Sequence, residues 1–388
     1  MKKTPKSKID KILLTIIILF SIFGLIMVLS ASSMESYMRY DKSPYFYFIR
    51  QLMFVGIGFL IYFIMHLIPI SFYKKLSTFL IIAIIIAMTA LIIYGKSTRE
   101  VVSWFKLGPI KIQPSEFAKL FTIIYLSSYY EKHKDNLDDY WTIIKPMIPI
   151  VIICVLVALQ PDLGTSAIIA MIALSIFFLA PIPKENRKNI NKILFAFIGL
   201  ILLVFISTKG KILKDYQLQR LFSFMNNPCE NYQSEEGYQL CNSYIAFHNG
   251  GLKGSGIGES TQKYLYLPDS YTDFIFPIIV EEWGYLIGIV VIIFYAILLF
   301  RIFVIAKKSR RISSALMAFG IFTYITIHIV VNLGGVTGLL PLTGVPLPFL
   351  SYGGSFTLTL FISLGLVQAI SIENMKDLMK RQKELISK

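Results

Sequence analysis

The residues that could do chemistry lie in one stretch, 249–284. A glycine-rich polar run, 250–258, leads through Lys263 and Leu267-Pro268-Asp269 into an apolar segment that still holds Asp273, Glu281 and Glu282. An ionisable group at the lip of such a segment is costly unless water or a partner reaches it, which makes each a functional candidate. Asp273 stands where the segment begins. A carboxylate shielded from water there takes up a proton more readily and suits general-base work. The same position equally suits a carboxylate that only complements a helix dipole. Glu281 and Glu282 lie two to three turns deeper, where hydrogen bonding or pairing with basic groups is the competing role. The 250–258 run is only loosely like a phosphate-cradling loop, because no strand–turn–helix context surrounds it, and a tight turn explains it as well. Lys263 and Arg220 could hold a pyrophosphate or be solvated loop charges. Trp104 could line a groove for a sugar or lipid, or anchor at a membrane interface. His66, His133, His248 and His328 are scattered and form no metal-ligand set.

The elements that must position these residues are membrane helices. Of 388 residues, 55% are hydrophobic and 16% charged. Several apolar blocks reach the length of about 18 residues that a membrane span needs. The expected spans are 12–29, 47–67, 76–94, 115–130, 143–160, 164–180, 193–208, 273–300, 312–332 and 355–372. The fold expected is therefore all-α: one polytopic membrane domain, 1–388, of about ten helices. The apolar run 12–29 is too long for the core of a cleaved leader and is read as an uncleaved first helix. Both termini then lie inside. Lys and Arg test this orientation: the segments placed inside hold 24 and the short segments placed outside hold 7. The net charge of +15 reads as inner loops facing anionic lipid. Nucleic-acid binding is set aside because no compact basic face can be built.

The outer side then carries the unusual polar sequence. The loop 95–114 holds Trp104 and Pro114. Glu116 and Lys119, three residues apart in the fourth span, share a helix face and can pair. Gln160-Pro161-Asp162-Leu163-Gly164 breaks the chain between two spans, and Asp162 can cap the following helix. A long outer loop, about 209–270, joins helices 7 and 8; loops of that length are usually functional. Its part 212–225 has an apolar stripe suited to a surface helix. Cys229 and Cys241 share this loop, and a disulfide between them is allowed but not required. The last outer loop, 334–354, is rich in Gly and Pro, and non-helical backbone at that depth needs a cavity or protein around it.

Taken together these blocks resemble the SEDS family of cell-wall polymerases, FtsW and RodA. The likeness runs from the first helix to Gly365. It rests on Trp104 with Leu107-Gly108, on 113–119 and 160–165, and on Gly237-Tyr238-Gln239. It continues through 249–258, Leu267-Pro268, 272–276, Glu281-Glu282 and 346–355. Ser260-x-Gln262-Lys263 looks more like the division branch than the elongation branch. The chain departs from the family pattern at Asp269 (Glu is usual), Tyr271 (His), Phe356 (Ser) and Val102-Ser103 (Arg). The resemblance implies a glycosyltransferase that polymerises lipid II at the outer face of the cytoplasmic membrane. Asp273 would be the catalytic base or, alternatively, a ligand of a divalent cation such as Mg2+. Trp104, Glu116, Lys119, Asp162, Arg220, Gln239, Lys263, Thr272, Ser351 and Ser355 would line the substrate site. A class B penicillin-binding transpeptidase, other division or elongation membrane proteins, and membrane lipid would be its partners. A lipid II flippase is the rival from another class. A secondary transporter fits less well, because its ionisable groups would sit near the midplane.

Overall fold

The computed structural model describes residues 9–94, 103–107, 110–190, 192, 228–230 and 232–386. Its helices are α1 (Lys11–Tyr40), α2 (Phe46–Met65), α3 (Ile70–Tyr94), α4 (Pro114–Lys132), α5 (Tyr140–Ile144), α6 (Met147–Leu159), α7 (Leu163–Leu179), α8 (Glu235–Gly250), α9 (Ile275–Lys308), α10 (Ile312–Val336) and α11 (Gly354–Ile386). An antiparallel pair, β1 (Phe105–Leu107) and β2 (Ile110–Ile112), precedes α4 with Phe105 opposite Ile112. Among the described residues seven helices are long and apolar enough to cross a membrane, counting α5–α6 as one, and α7 is a shorter apolar helix. Nine of the ten expected spans coincide with these helices or with α4. The expected seventh span, the stripe 212–225 and Arg220 lie outside the described residues.

Burial explains why α4 is polar for a span. Glu116, Lys119, Thr122, Ser127 and Ser128 are all buried, so protein and not lipid surrounds them. The centre of the bundle is α11: 89% of its apolar window is buried, against 28–56% in the other spanning helices. It packs on α2 and α4 and meets α9 and α10. Polar ties fasten the bundle at the end remote from Asp273. Arg301 on α9 pairs with Asp10, the N-cap of α1, at 2.6 Å. Arg311 pairs with Glu373 at 2.8 Å, and Lys74 pairs with Glu131.

Two departures from the sequence expectation concern the site. First, the long 209–270 loop contains α8. Its signals are local: Ser234 caps it by accepting from Gly237 N at 3.1 Å, Glu235 and Glu236 open it, and Leu240 and Phe247 bury one face. Second, the eighth span is broken. Gly284, in the middle of α9, has φ 81° and ψ 169°. Backbone from the glycine-rich run lies in the break. Ser255 N donates to Glu281 O at 2.9 Å, Gly256 N to Glu282 O at 3.1 Å, and Tyr285 N to Gly251 O at 2.9 Å.

Cys229 and Cys241 are joined in a disulfide, at a separation of 12 residues, which ties the segment before α8 to the helix. Closing a loop of that size is worth about 3 kcal/mol in chain entropy. Reduction, or Cys229→Ser with Cys241→Ser, is expected to lower the apparent Tm by several degrees. Differential scanning fluorimetry with and without reductant checks this.

Candidate active site

The site is built from three chain segments at one end of the bundle: 251–274, 337–353 and the corner before α7. Glu281 organises the first. Its Oε1 accepts from Asn249 Nδ2 at 3.0 Å, Thr261 Oγ1 at 2.9 Å and Thr261 N at 3.2 Å. Its Oε2 accepts from Ser260 Oγ and from Gln262 N. Five donors leave this buried carboxylate little capacity for anything but holding the loop. Glu282 Oε1 takes Lys263 Nζ at 2.9 Å and Ser30 Oγ at 2.6 Å, and Lys263 also donates to Gly258 O. Both partners are buried. A buried ion pair of this kind is costly to break, because removing one partner strands the other's charge. The structure thus gives Glu281 and Glu282 the hydrogen-bonding and pairing role. Lys263 faces Glu282, its ammonium turned inward.

Asp273 sits half-buried in the turn that enters α9. Asp269 O accepts from Thr272 N at 3.1 Å, Phe274 N at 3.2 Å and Thr272 Oγ1 at 3.1 Å, which shapes the turn. The 337–353 loop is fastened alongside. Ser351 Oγ donates to Thr272 O at 2.6 Å and accepts from Leu347 N at 2.8 Å. Tyr352 N donates to Tyr271 O at 2.9 Å. Asn332 Nδ2 donates to Asp273 O and to Val345 O, both at 2.8 Å. Gly344 lies directly against the carboxylate: a Cβ there would stand 3.2 Å from Asp273 Oδ2. The main chain at 272–273 is thus held by Ser351 and Asn332, and the Asp273 carboxylate lies against Gly344.

The other candidates stand around this centre at different removes. Asp162 caps α7 by accepting from Thr165 N at 3.0 Å, and Gly164 beside it packs on Thr343, next to Gly344. Ser355 Oγ accepts from Gln113 N at 3.0 Å and donates to Lys111 O, which pins the β1–β2 hairpin to the start of α11. Trp104, 41% exposed, precedes that hairpin. Lys119 pairs with Glu116 at 2.8 Å, deep in the bundle. Gln239 is half-buried on α8. Arg220 lies outside the described residues.

Sequence reasoning passed over three residues that hold the site. Gln51 grips the 351–353 corner by donating to Thr357 Oγ1 at 3.1 Å and accepting from Gly353 N at 3.3 Å. Asn332 and His328, four residues apart on α10, reach the same loop. Their signal was available, since a polar side chain repeated at i and i+4 in an apolar helix marks an inward face. Tyr271, which stands where the family has His, packs among Tyr47 and Tyr352 with centroids 4.6 and 5.8 Å away. Burial pushes its phenol well up, so it stays protonated beside Asp273 and can donate but not serve as a base.

Among the described residues no three His, Cys, Asp or Glu side chains converge. What the arrangement can do is present the Asp273 carboxylate, on a main chain held by Asn332 and Ser351, at the junction of three loops.

The family described as cell cycle protein, FtsW/RodA/SpoVE, matches residues 10–376. "Probable peptidoglycan glycosyltransferase FtsW" of Bacillus subtilis (strain 168) is 37% identical over 379 residues, covering 96% of this chain and 92% of that protein. The protein of the same name from Wigglesworthia glossinidia brevipalpis is 38% identical over 363 residues, covering 92% of each. Among solved structures, one described as "Structural coordination of polymerization and crosslinking by a peptidoglycan synthase complex" has the same fold. Its TM-score is 0.75 at 24% identity, over 94% of this chain and 98% of that one.

Proposed function

The chain belongs to the FtsW/RodA/SpoVE family of cell cycle proteins, and from that premise we propose how its site works. It is a multi-pass membrane protein and a peptidoglycan glycosyltransferase, and the FtsW naming of its relatives is consistent with a septal role. The substrate is lipid II, a disaccharide-pentapeptide carried on a polyprenyl pyrophosphate. The loops around Asp273 face outward, with both termini inside; the excess of Lys and Arg on the opposite segments supports this orientation. A class B penicillin-binding transpeptidase is the partner that cross-links the product.

The observation that carries the mechanism is Asp273 at the junction of the loops, its main chain held by Asn332, the preceding carbonyl held by Ser351 and its carboxylate against Gly344. Asp273 takes the proton from the acceptor sugar hydroxyl. The freed oxygen pair forms a bond to the donor anomeric carbon from the face opposite the leaving group. The carbon–oxygen bond to the pyrophosphate breaks, its electron pair departs with the lipid pyrophosphate, and configuration inverts. A base positioned at the attacking hydroxyl is worth about 10²–10⁴ in rate. Trp104, Asp162, Gln239, Thr272, Ser351 and Ser355 shape the walls, Thr272 and Ser351 by direct contact with the Asp273 turn. Glu116 and Lys119 act from beneath it. Lys263 keeps the glycine-rich loop in place, and Arg220 is a candidate for the pyrophosphate.

The test is glycan polymerisation from labelled lipid II by the purified protein with its transpeptidase. Polymer of many disaccharides is expected. Lipid II that crosses a proteoliposome bilayer with no polymer formed would replace this reading with the flippase.

A further inference from the structure

The reaction as derived makes no use of His328, yet this is a fully buried polar residue in the middle of α10. Lys119 Nζ lies 3.1 Å from its Nε2. An ammonium can only donate, so Nε2 is the acceptor and the ring proton is on Nδ1. Nδ1 stands 3.2 Å from Pro346 O and donates to it. The imidazole is thus a neutral, two-ended link. One end meets the Lys119–Glu116 pair inside the bundle, and the other meets the 337–353 loop. Phe356 stacks on the ring at 4.7 Å and 18° and fixes its plane. One turn further along α10, Asn332 donates to the adjacent carbonyl, Val345 O, and to Asp273 O. The two carbonyls held by α10 therefore follow directly on Gly344, the residue lying against the Asp273 carboxylate.

We infer that His328 is a positioning residue for the transfer reaction. It carries the placement of the buried Lys119–Glu116 pair out to the loop that backs Asp273, without touching substrate. This rests on Asp273 being the base. It requires a side chain that accepts at one end and donates at the other with the reach of an imidazole. Glutamine has both groups at that reach. Asparagine has both groups but is one methylene short, so it can serve Pro346 or Lys119 and not both.

The experiment compares wild type, His328→Gln and His328→Asn, each in complex with the transpeptidase, on labelled lipid II. The Asn variant is expected to lose about tenfold in kcat with KM within about twofold, and the Gln variant to stay within about twofold of wild type in both. Hydrogen exchange of 341–353 in the same samples reads the loop without needing turnover: faster in Asn, unchanged in Gln. Equal kcat in all three proteins overturns the inference. So does a loss that Gln does not restore, or a loosened loop with no fall in kcat. If wild type itself makes no polymer, the glycosyltransferase reading falls. The exchange comparison then decides by itself whether His328 holds the loop.

Discussion

Asp273→Asn is expected to abolish glycan polymerisation while the protein stays folded and still takes up lipid II. The substitution is close to isosteric. The backbone carbonyl that accepts from Asn332 is retained, and so are the Ser351–Thr272 contact and the Asp269 turn. What is lost is the ability to take a proton. If the acceptor hydroxyl must be deprotonated as it attacks, kcat falls by about 10²–10⁴, or about 3–5 kcal/mol of transition-state stabilisation. KM for lipid II changes little, because a carboxamide occupies the same space and the walls of the site are untouched. The measurement is polymerisation by wild type and variant in complex with the transpeptidase, at matched Tm. Polymer from both at similar rates would keep the enzyme and discard Asp273 as its base. A fall carried entirely by KM would make Asp273 a binding group and move the search for a base to another side chain.

How far this site was legible in the sequence follows from the range of the interactions. The Asp162 cap and the Glu116–Lys119 pair depend on neighbours three residues away, and spacing alone exposes them. The spanning helices are legible for the same reason, since each is a continuous apolar run. Asp273 stood out only as a carboxylate at the start of an apolar span, while Asn332 and Gly344, which flank it, lie far along the chain. Glu281 and Glu282 were placed in the right segment, but their partners were not readable. Asn249, Ser260, Thr261 and Lys263 lie 19 to 32 residues before the carboxylates they bond, and Ser30 252. Only the folded break in α9 brings these together. Lys263 shows the consequence. By composition it is a free cation in a polar loop, a natural phosphate ligand. In the fold it is the partner that makes the buried Glu282 tolerable. His328 and Asn332 were missed for a different reason. His328 was read only as one of four scattered histidines and Asn332 was not considered, whereas the informative unit was their i, i+4 pairing toward one loop. The helix α8 was overlooked because a long polar loop set the expectation, although its own N-cap and acidic first turn were present.

The break in α9 leads to the second large expectation: Gly284→Ala should prevent the protein from reaching its native fold. An α-helix interior normally tolerates alanine better than glycine by about 1 kcal/mol, so helix propensity alone predicts a gain. The backbone decides otherwise. At φ 81° and ψ 169° residue 284 occupies a region almost reserved for glycine, which costs an L-residue about 1–3 kcal/mol. A Cβ there would also stand 2.4 Å from Leu252 O and 2.5 Å from Gly254 N. Those are backbone atoms of the run that fills the break, and they cannot swing aside as a side chain would. Relieving the overlap means withdrawing 251–256. That withdrawal removes the bonds from Ser255 and Gly256 to the carbonyls of Glu281 and Glu282 and pulls the loop away from both buried carboxylates. Each would then lack donors in a setting where an unpaired charge costs several kcal/mol. The summed penalty exceeds about 4 kcal/mol, a large share of the stability of a typical domain. Yield of monodisperse protein in detergent and its thermal half-life are the measurements, since unfolding of a membrane protein of this size is read as a rate. A Gly284→Ala protein with wild-type half-life would mean that the helix can run straight through. The glycine-rich loop would then need another reason to lie where it does.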